Sequence, residues 1–405
     1  MRIVLLAETF PRNTGYFGVM LPKYLARLGV DVHLLTLDLP PYWNVPSMRR
    51  HYEDLVGREW LVPGRVASHD GYTVHVMRHR VIGGLMRMDG LAAKLRELDP
   101  QVVYSLSAIG WIALEAAALK PFLGYKLFSG SHTAASTFPL FYSSAPWYSP
   151  GRLRVLISRA IPGRLISYAT ERCHGPTVDC AEIAWRFFGV QRRKVSVMHL
   201  GVDTDVYYPV RDDATRRERA RVRRELGFTD EDVVAIYTGK LTEEKNVGIM
   251  VNAVSALRGR GKRFRALVIG EGPERGRIGA MPDAILLPYQ TYDRLAQYYR
   301  AADMAVWPTN ESTSMLDAAA CGLPLIVSDG IVYRDHVEGN GVVYRMNDLA
   351  ALVEAMEGLG DPAERARLGA IGAAKMAERF SWLEHARRRL QEYEAATSEP
   401  AQEAA

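Results

Sequence analysis

Residues 239–246 read GKLTEEKN and follow the apolar run Val233 to Tyr237. A short apolar run that stops at a glycine has the pattern of a buried strand entering a tight turn, which sets Lys240 and Lys245 just beyond the strand's end. Further along, Thr309 to Pro324 reads TNESTSMLDAAACGLP, a Ser/Thr-rich loop that opens a short Ala-rich helix. Ammonium groups, hydroxyls and helix amides all suit an anion, and together they fit a nucleotide diphosphate.

Working outward from Gly239, strands alternate with helices on both sides. Downstream, the pattern predicts a helix over 246–257, strands over 265–269 and 284–287, a helix over 294–300, a strand over 304–307, a helix over 315–321 and a strand over 325–328. Upstream, a strand over 2–7, a loop holding Gly15 and Gly18, a helix over 19–28 stopped by Gly29 and a strand over 30–37 make the βαβ opening of a parallel sheet. Further strands are predicted over 72–77, 102–105, 126–129 and 195–199. Six arginines fall between Arg216 and Arg224, and this polar stretch is where the interdomain linker is expected. The fold class is therefore α/β, with two Rossmann-like halves and a cleft between them.

Composition narrows the classes. With 405 residues, 48% apolar and 24% charged, the chain is an ordinary globular protein long enough for two domains. No apolar run approaches the roughly 20 residues of a membrane-spanning helix, and MRIVLLAETFP is too short for a signal peptide and reads as a first strand. Cys173, Cys180 and Cys321 form no CxxC or Cys/His cluster, so neither a disulfide framework nor zinc is indicated and a reducing cytoplasm is expected. A net charge of +5 favours phosphates or the inner face of a membrane without demanding nucleic acid.

The motifs resemble, in order, those of the family 4 glycosyltransferases of GT-B architecture. GKLTEEKN is similar to their Gly-Arg-Leu-x-x-x-Lys element, Gly270-Glu271-Gly272-Pro273 to their Gly-x-Gly-Pro turn, and Tyr298 to Asp303 to their Tyr-x-x-Ala-Asp segment. DAAACGLPLIVSD, Asp317 to Asp329, resembles their Glu-Ala-x-Ala-x-Gly-x-Pro run, while Met198 to Pro209 and Arg379 to Trp382 fit in sequence. The resemblance implies a retaining transferase that moves a sugar from a nucleotide diphosphate to an acceptor hydroxyl, in glycan, glycolipid or metabolite glycosylation. It implies an acceptor domain over 1–205, a nucleotide-sugar domain over 206–380, a helix over 381–395 crossing back to the first domain, and a disordered tail over 396–405.

Two positions depart from the family pattern. Lys240 stands where the family has arginine, keeping the charge but losing the bidentate fork. Glu311 and Asp317 are separated by five residues where the family's two glutamates are separated by seven, so either the loop is shorter or Glu311 is not the counterpart. If it is, the resemblance implies that Glu311 meets the donor sugar's hydroxyls while Asp317 accepts from the ribose.

Each candidate also has a plainer reading. Lys240 and Lys245 can be a solvated helix start, although cations are disfavoured there. Ser314 to Asp317 has capping-box spacing, and Ser312, Thr313 and Ser314, with Met315 behind them, can be loop formers or phosphate donors. Gly239, Gly270, Gly272 and Pro273 read as turns first and as a nucleotide approach second. His132, in SGSHT after a strand, is the candidate that the resemblance aims at the donor sugar from the first domain; His174 and His199 read as structural. Gly15 and Gly18 sit after the first strand, where resembling enzymes approach sugar or acceptor, or are a plain turn.

No metal is expected: growing charge on a departing phosphate can be met by cations and amides, with the phosphate serving as base in a front-face reaction inherited from the resemblance. Asp203 and Asp205 form Asp-x-Asp, which reads as a turn in GVDTDVYYP. On the acceptor side, Phe138 to Tyr148 is aromatic and precedes Arg152, Arg154, Arg159 and Arg164 interleaved with apolar residues, a basic amphipathic stretch that suits a membrane face or a buried helix. Pro40 to Pro63, with Tyr42, Trp43 and Trp60, is a second aromatic candidate for the acceptor, which can be a saccharide, a lipid-linked sugar or a small molecule. The rival functions are a GT-B-like nucleotide-sugar epimerase and an inactive nucleotide-sugar-binding module.

Overall fold

The computed structural model describes residues 1–44, 49, 53, 54, 56–146, 148–331 and 334–398. The chain forms two compact units: residues 1–200 with the chain from Trp382 onward, and Gly201–Ser381.

The first unit is built on β1 (Arg2–Ala7), β2 (Asp31–Leu37), β3 (Val66–His69), β4 (Tyr72–Met77), the hairpin β5 (His79–Ile82) and β6 (Leu85–Met88), β7 (Val102–Ser105), β8 (Lys126–Gly130), β9 (Thr170–Gly175) and β10 (Val195–Val197). Eight of these strands order as β10-β9-β8-β7-β1-β2-β4-β3, all parallel except the edge pair β3 and β4. β1 is almost wholly buried because helices cover both faces of a parallel sheet, so its side chains need no polar alternation. The helix Phe17–Arg27 ends at Gly29, whose φ of +83° turns the chain into β2. Since β2 and β7 flank β1, the winding reverses beside β1, and the loops after β1, β7 and β8 share one end of the sheet.

The helix Trp382–Ser398 belongs to this unit. Tyr393 packs edge-on against Phe128 with ring centroids 4.7 Å apart, and the buried Arg389 lies 4.9 Å over the ring of Phe17 while donating to the Tyr104 hydroxyl at 3.2 Å. Residues 396–398, expected in a disordered tail, are instead the helix's last turn, where Thr397 and Ser398 hydroxyls donate to backbone carbonyls of the turn before. The rest of that tail, 399–405, lies outside the described residues.

The second unit holds β11 (Val233–Thr238), β12 (Phe264–Ile269), β13 (Ala284–Leu287), β14 (Met304–Trp307), β15 (Leu325–Ser328) and β16 (Gly341–Tyr344) in the all-parallel order β13-β12-β11-β14-β15-β16. Its boundary falls at Gly201 because the Val202 amide donates to the Phe380 carbonyl at 2.8 Å and draws Asp203 and Tyr207 into this unit's interior. The arginine run placed in a linker is a correction: Asp213–Glu225 is a helix, begun by a capping box between Asp212 and Thr215. Arg219 and Arg223, one turn apart, both bond Asp303, at 2.7 and 3.0 Å, so the charges tie the helix down instead of solvating a link. Among the described residues no helix is long and apolar enough to cross a membrane.

Candidate functional site

In the second sheet the winding reverses between β11 and β14, which puts the loops after β11, β12 and β14 at one end of neighbouring strands. The first two loops are laced by backbone: the Gly239 amide donates to Ile269 at 3.1 Å, Leu241 to Glu271 at 2.9 Å, and Glu274 to Leu241 at 3.0 Å. That spacing leaves no room for side chains. A Cβ on Gly270 would stand 1.9 Å from the Gly239 carbonyl oxygen, and one on Gly272, at φ +153°, would stand 2.3 Å from that of Leu241. Gly270 is buried within this lacing, whereas Pro273 caps the turn from an exposed position.

On this platform Lys240 is exposed and Lys245 is half-buried. The Lys245 ammonium donates to the Asn310 side-chain carbonyl, which joins the β11 loop to the β14 loop. Its pKa lies below the usual lysine value, chiefly because burial strips water from it and also because Lys240 adds like charge, while Glu244 and Glu311 pull the other way. Lys240, Asn310 and Glu311 therefore all act on Lys245. The β14 loop is held from behind by Ser328, whose hydroxyl donates to the Thr309 carbonyl at 2.6 Å.

The helix Ser314–Ala320 starts after Thr313, and no side chain caps it, so the capping box between Ser314 and Asp317 is not formed. Ser312 does part of that work: its hydroxyl lies 3.1 Å from that of Ser314, and its carbonyl accepts from the Met315 amide at 3.1 Å. Met315, expected among the binding residues, is a correction. Its side chain is fully buried in the core and its amide is already bonded. Thr313 is exposed, and Ser312 and Ser314 are half-exposed.

Asp317 keeps part of its surface open, yet protein crowds its carboxyl. Desolvation, helped by the negative charge of buried Asp203, pushes its pKa up to about 8. Asp317 in turn raises the Tyr207 and Tyr299 phenols beyond what burial does, which identifies its neighbours. Tyr299 holds the strand end through its hydroxyl, 2.5 Å from that of Thr238. Asp203 accepts from the Asp205 amide at 3.0 Å, the turn role read from Asp-x-Asp.

The remaining candidates lie in the first unit. His132 follows β8, its ring 4.9 Å from that of Phe17 and its Nε2 so near Gly130 that a Cβ there would come within 2.8 Å. The residue is exposed, but crowding of the imidazole, with the positive charge of Arg389 and the neighbouring His174, lowers its pKa to about 4, so it is neutral near pH 7. Gly15 is half-exposed in the loop after β1. Gly18 is buried in the first turn of its helix, where a Cβ would meet Leu106 at 3.2 Å, so its smallness serves packing. His174 is buried, stacked parallel to Tyr104 and Phe128, with Nε2 2.8 Å from Glu392. His199 lies 3.2 Å from the Pro176 carbonyl. Trp60, offered as a sugar platform, is buried against Phe10 and clamped by the guanidinium groups of Arg12 and Arg65; residues 45–48, 50–52 and 55 of that segment lie outside the described residues.

Sequence reasoning missed Asn310, Tyr207 and Tyr299. Asn310 adjoins Glu311 and was within reach of a loop reading, whereas nothing local marks the two tyrosines as neighbours of Asp317.

Comparison with known proteins finds two family matches. Residues 19–206 match the family described as Glycosyltransferase Family 4, and residues 232–361 match Glycosyl transferases group 1. The chain is 25% identical over 408 aligned residues to a D-inositol 3-phosphate glycosyltransferase of Segniliparus rotundus, covering 92% of this chain and 82% of the relative. It is 28% identical over 261 residues to the protein of that name from Nocardia farcinica, covering 59% of this chain but only 56% of the relative's length. Among solved structures, sucrose-phosphate synthase from Thermosynechococcus elongatus is similar with a TM-score of 0.68 at 16% identity, covering 98% of this chain and 99% of that one. Anabaena HepE in complex with UDP has a TM-score of 0.65 at 15% identity, covering 98% and 100%.

Proposed function

Because the chain belongs to the family 4 glycosyltransferases and has the GT-B fold, we propose that it transfers a sugar from a nucleotide diphosphate sugar to an acceptor hydroxyl with retention and without a metal ion. The observation that carries this reading is the pair Lys240 and Lys245 at the end of β11, close enough for one charge to lower the other's pKa. Two cations brought to one strand end favour an anion, and a diphosphate supplies it.

In this reading Lys240 and Lys245 hold the diphosphate and meet the negative charge that grows on it as the glycosidic bond breaks, which is the work a divalent ion would otherwise do. Glu311, beside Lys245, accepts from hydroxyls of the donor sugar. Asp317 accepts from the ribose when ionised and donates to it when protonated. His132, neutral, is a hydrogen-bonding group of the first unit, which takes the acceptor. The UDP held by the Anabaena neighbour makes uracil the first base to test, and the name shared by the two relatives makes a phosphorylated cyclitol the first acceptor to test.

The test is a melting series with UDP, GDP, ADP and dTDP in the presence of a chelator, followed by donor turnover under the same conditions. A ligand bound only by the folded chain raises its melting temperature by mass action. The proposal expects a rise with one nucleotide, release of that nucleotide from its sugar conjugate when acceptor is supplied, and a product of unchanged anomeric configuration by NMR. Stabilisation without release would leave a binding module, conversion of the donor sugar without acceptor would indicate an epimerase, and turnover only with added divalent ion would remove the metal-free mechanism.

A further inference from the structure

From Ser129 to Thr170 the sequence holds no aspartate or glutamate, while it holds Arg152, Arg154, Arg159 and Arg164. Most of the second half of this stretch is one helical run, Pro150–Val155, a π turn at Leu156–Ala160 and Ile161–Ala169. One side of the run is pressed onto the protein: a Cβ on Gly163 would lie 1.9 Å from the Phe188 carbonyl oxygen, one on Gly189 2.0 Å from that of Ala160, and Ile166 and Ser167 are buried. At about 100° per residue, Ile161, Leu165 and Tyr168 lie within about 40° of the direction opposite Gly163. They are 52%, 59% and 69% exposed, and Ile157, across the π turn, is 67% exposed. Lys120 reaches the Ala169 carbonyl at 2.7 Å, bringing the end of the helix Trp111–Leu123, with its 83% exposed Phe122, beside this run.

The four arginines divide by role. Arg152 donates to the Ser143 carbonyl at 2.7 Å, and Arg159 stacks on Phe138 and Phe188, so these two hold the loop in place. Arg154 and Arg164 are exposed, and among the described residues neither has an ion-pair partner. The nearest carboxylate along the chain, Glu171, is taken by Lys120 at 2.8 Å. The face thus offers large apolar side chains flanked by unneutralised cations.

We propose that this face docks the first unit onto the surface of an anionic lipid bilayer. The apolar row enters the boundary between headgroups and acyl chains while Arg154 and Arg164 meet lipid phosphates. A second copy of the chain is a poorer occupant, because a two-fold contact would set this acid-free stretch against itself with its arginines opposed. The inference does not depend on the donor reading.

Flotation of the full chain with vesicles tests it, using phosphatidylcholine alone and phosphatidylcholine mixed with phosphatidylglycerol. The chain is expected to float with the mixed vesicles, to do so less as salt rises, and to stay behind with phosphatidylcholine alone. An Ile161→Ser, Leu165→Ser double variant and an Arg154→Ser, Arg164→Ser double variant should each lose on the order of tenfold in partitioning. Both pairs are solvent-exposed, and an unchanged melting temperature without ligand reports that the variants are folded. Failure of the wild-type chain to float with anionic vesicles overturns the proposal, as does equal flotation of folded variants. A dimer in sedimentation that the same substitutions dissolve, with no vesicle binding, assigns the face to a second copy and overturns it as well.

Discussion

Lys245 is partly stripped of water and sits beside Lys240, so its ammonium is destabilised in the folded chain, which a bound diphosphate relieves. Lys245→Ala is expected to weaken the stabilising nucleotide by about 1.5–3 kcal/mol, the range for a hydrogen bond to a charged group, which is roughly ten- to a hundredfold in dissociation constant. Titration calorimetry of the folded variant checks this, and unchanged affinity would falsify the phosphate role. Asp317 has a pH signature. Its folded-state value, about 8, lies above the ordinary carboxylate range, so the folded state holds a proton that the unfolded chain releases. That contribution is complete below the unfolded value and is lost as pH rises through about 8. Melting temperatures from about pH 5 to about pH 9 should therefore fall more steeply for the wild-type chain than for Asp317→Asn, with a differential on the order of 2 kcal/mol or more. Parallel curves would show that Asp317 is ionised throughout. At this scale the sequence marked Lys240 and Lys245 by their place after a strand end, and Glu311 only through the family resemblance. It did not mark Asn310, since an amide in a loop has many uses, and it placed Met315 at the site although an apolar side chain entering a helix beside a sheet goes to the core.

The C-terminal helix is the element whose energetics are most exposed to test. Tyr393 is fully buried against Phe128, and Arg389 spreads its guanidinium over Phe17 and Tyr104, so the first unit's core is closed by residues from the far end of the chain. Tyr393→Ala is expected to cost about 3–5 kcal/mol, read as a lowered denaturation midpoint for the first unit with the nucleotide-induced shift kept by the second. A loss under about 1 kcal/mol would mean that the helix is held elsewhere. Elements with strong patterns were legible: β4, β7, β13, β14 and β15 fall on the residues predicted for them. Those missed lack a pattern. β9, TERCHG, mixes charges into a buried strand, and β16 is a four-residue edge strand entered through a glycine. The helix Asp213–Glu225 was taken for a linker because charge density alone does not distinguish a solvated segment from one whose arginines, a turn apart, reach a single aspartate.

For the whole molecule, the division into two units makes a spatial prediction. Saturating nucleotide diphosphate should slow amide hydrogen exchange around Gly239 to Asn246, Gly270 to Glu274 and Thr309 to Asp317, with smaller effects throughout the first unit. Equal protection at the loops after β1 and β8 would move the donor away from the lysine pair. The sequence by itself determined the α/β class, the pair of Rossmann-like units and the family, because strand and helix periods, glycine stops and motif order are local properties of a chain. Tertiary structure alone decided which residues meet. The β11 and β12 turns need glycine because two backbones pass within bonding distance, Asp317 holds its proton because folding strips water from its carboxyl and brings Asp203 beside it, and the apolar row from Ile157 to Tyr168 faces outward because Gly163 lets the other side sink against Phe188. Each depends on segments distant in sequence becoming neighbours, and desolvation and close packing exist only once they have.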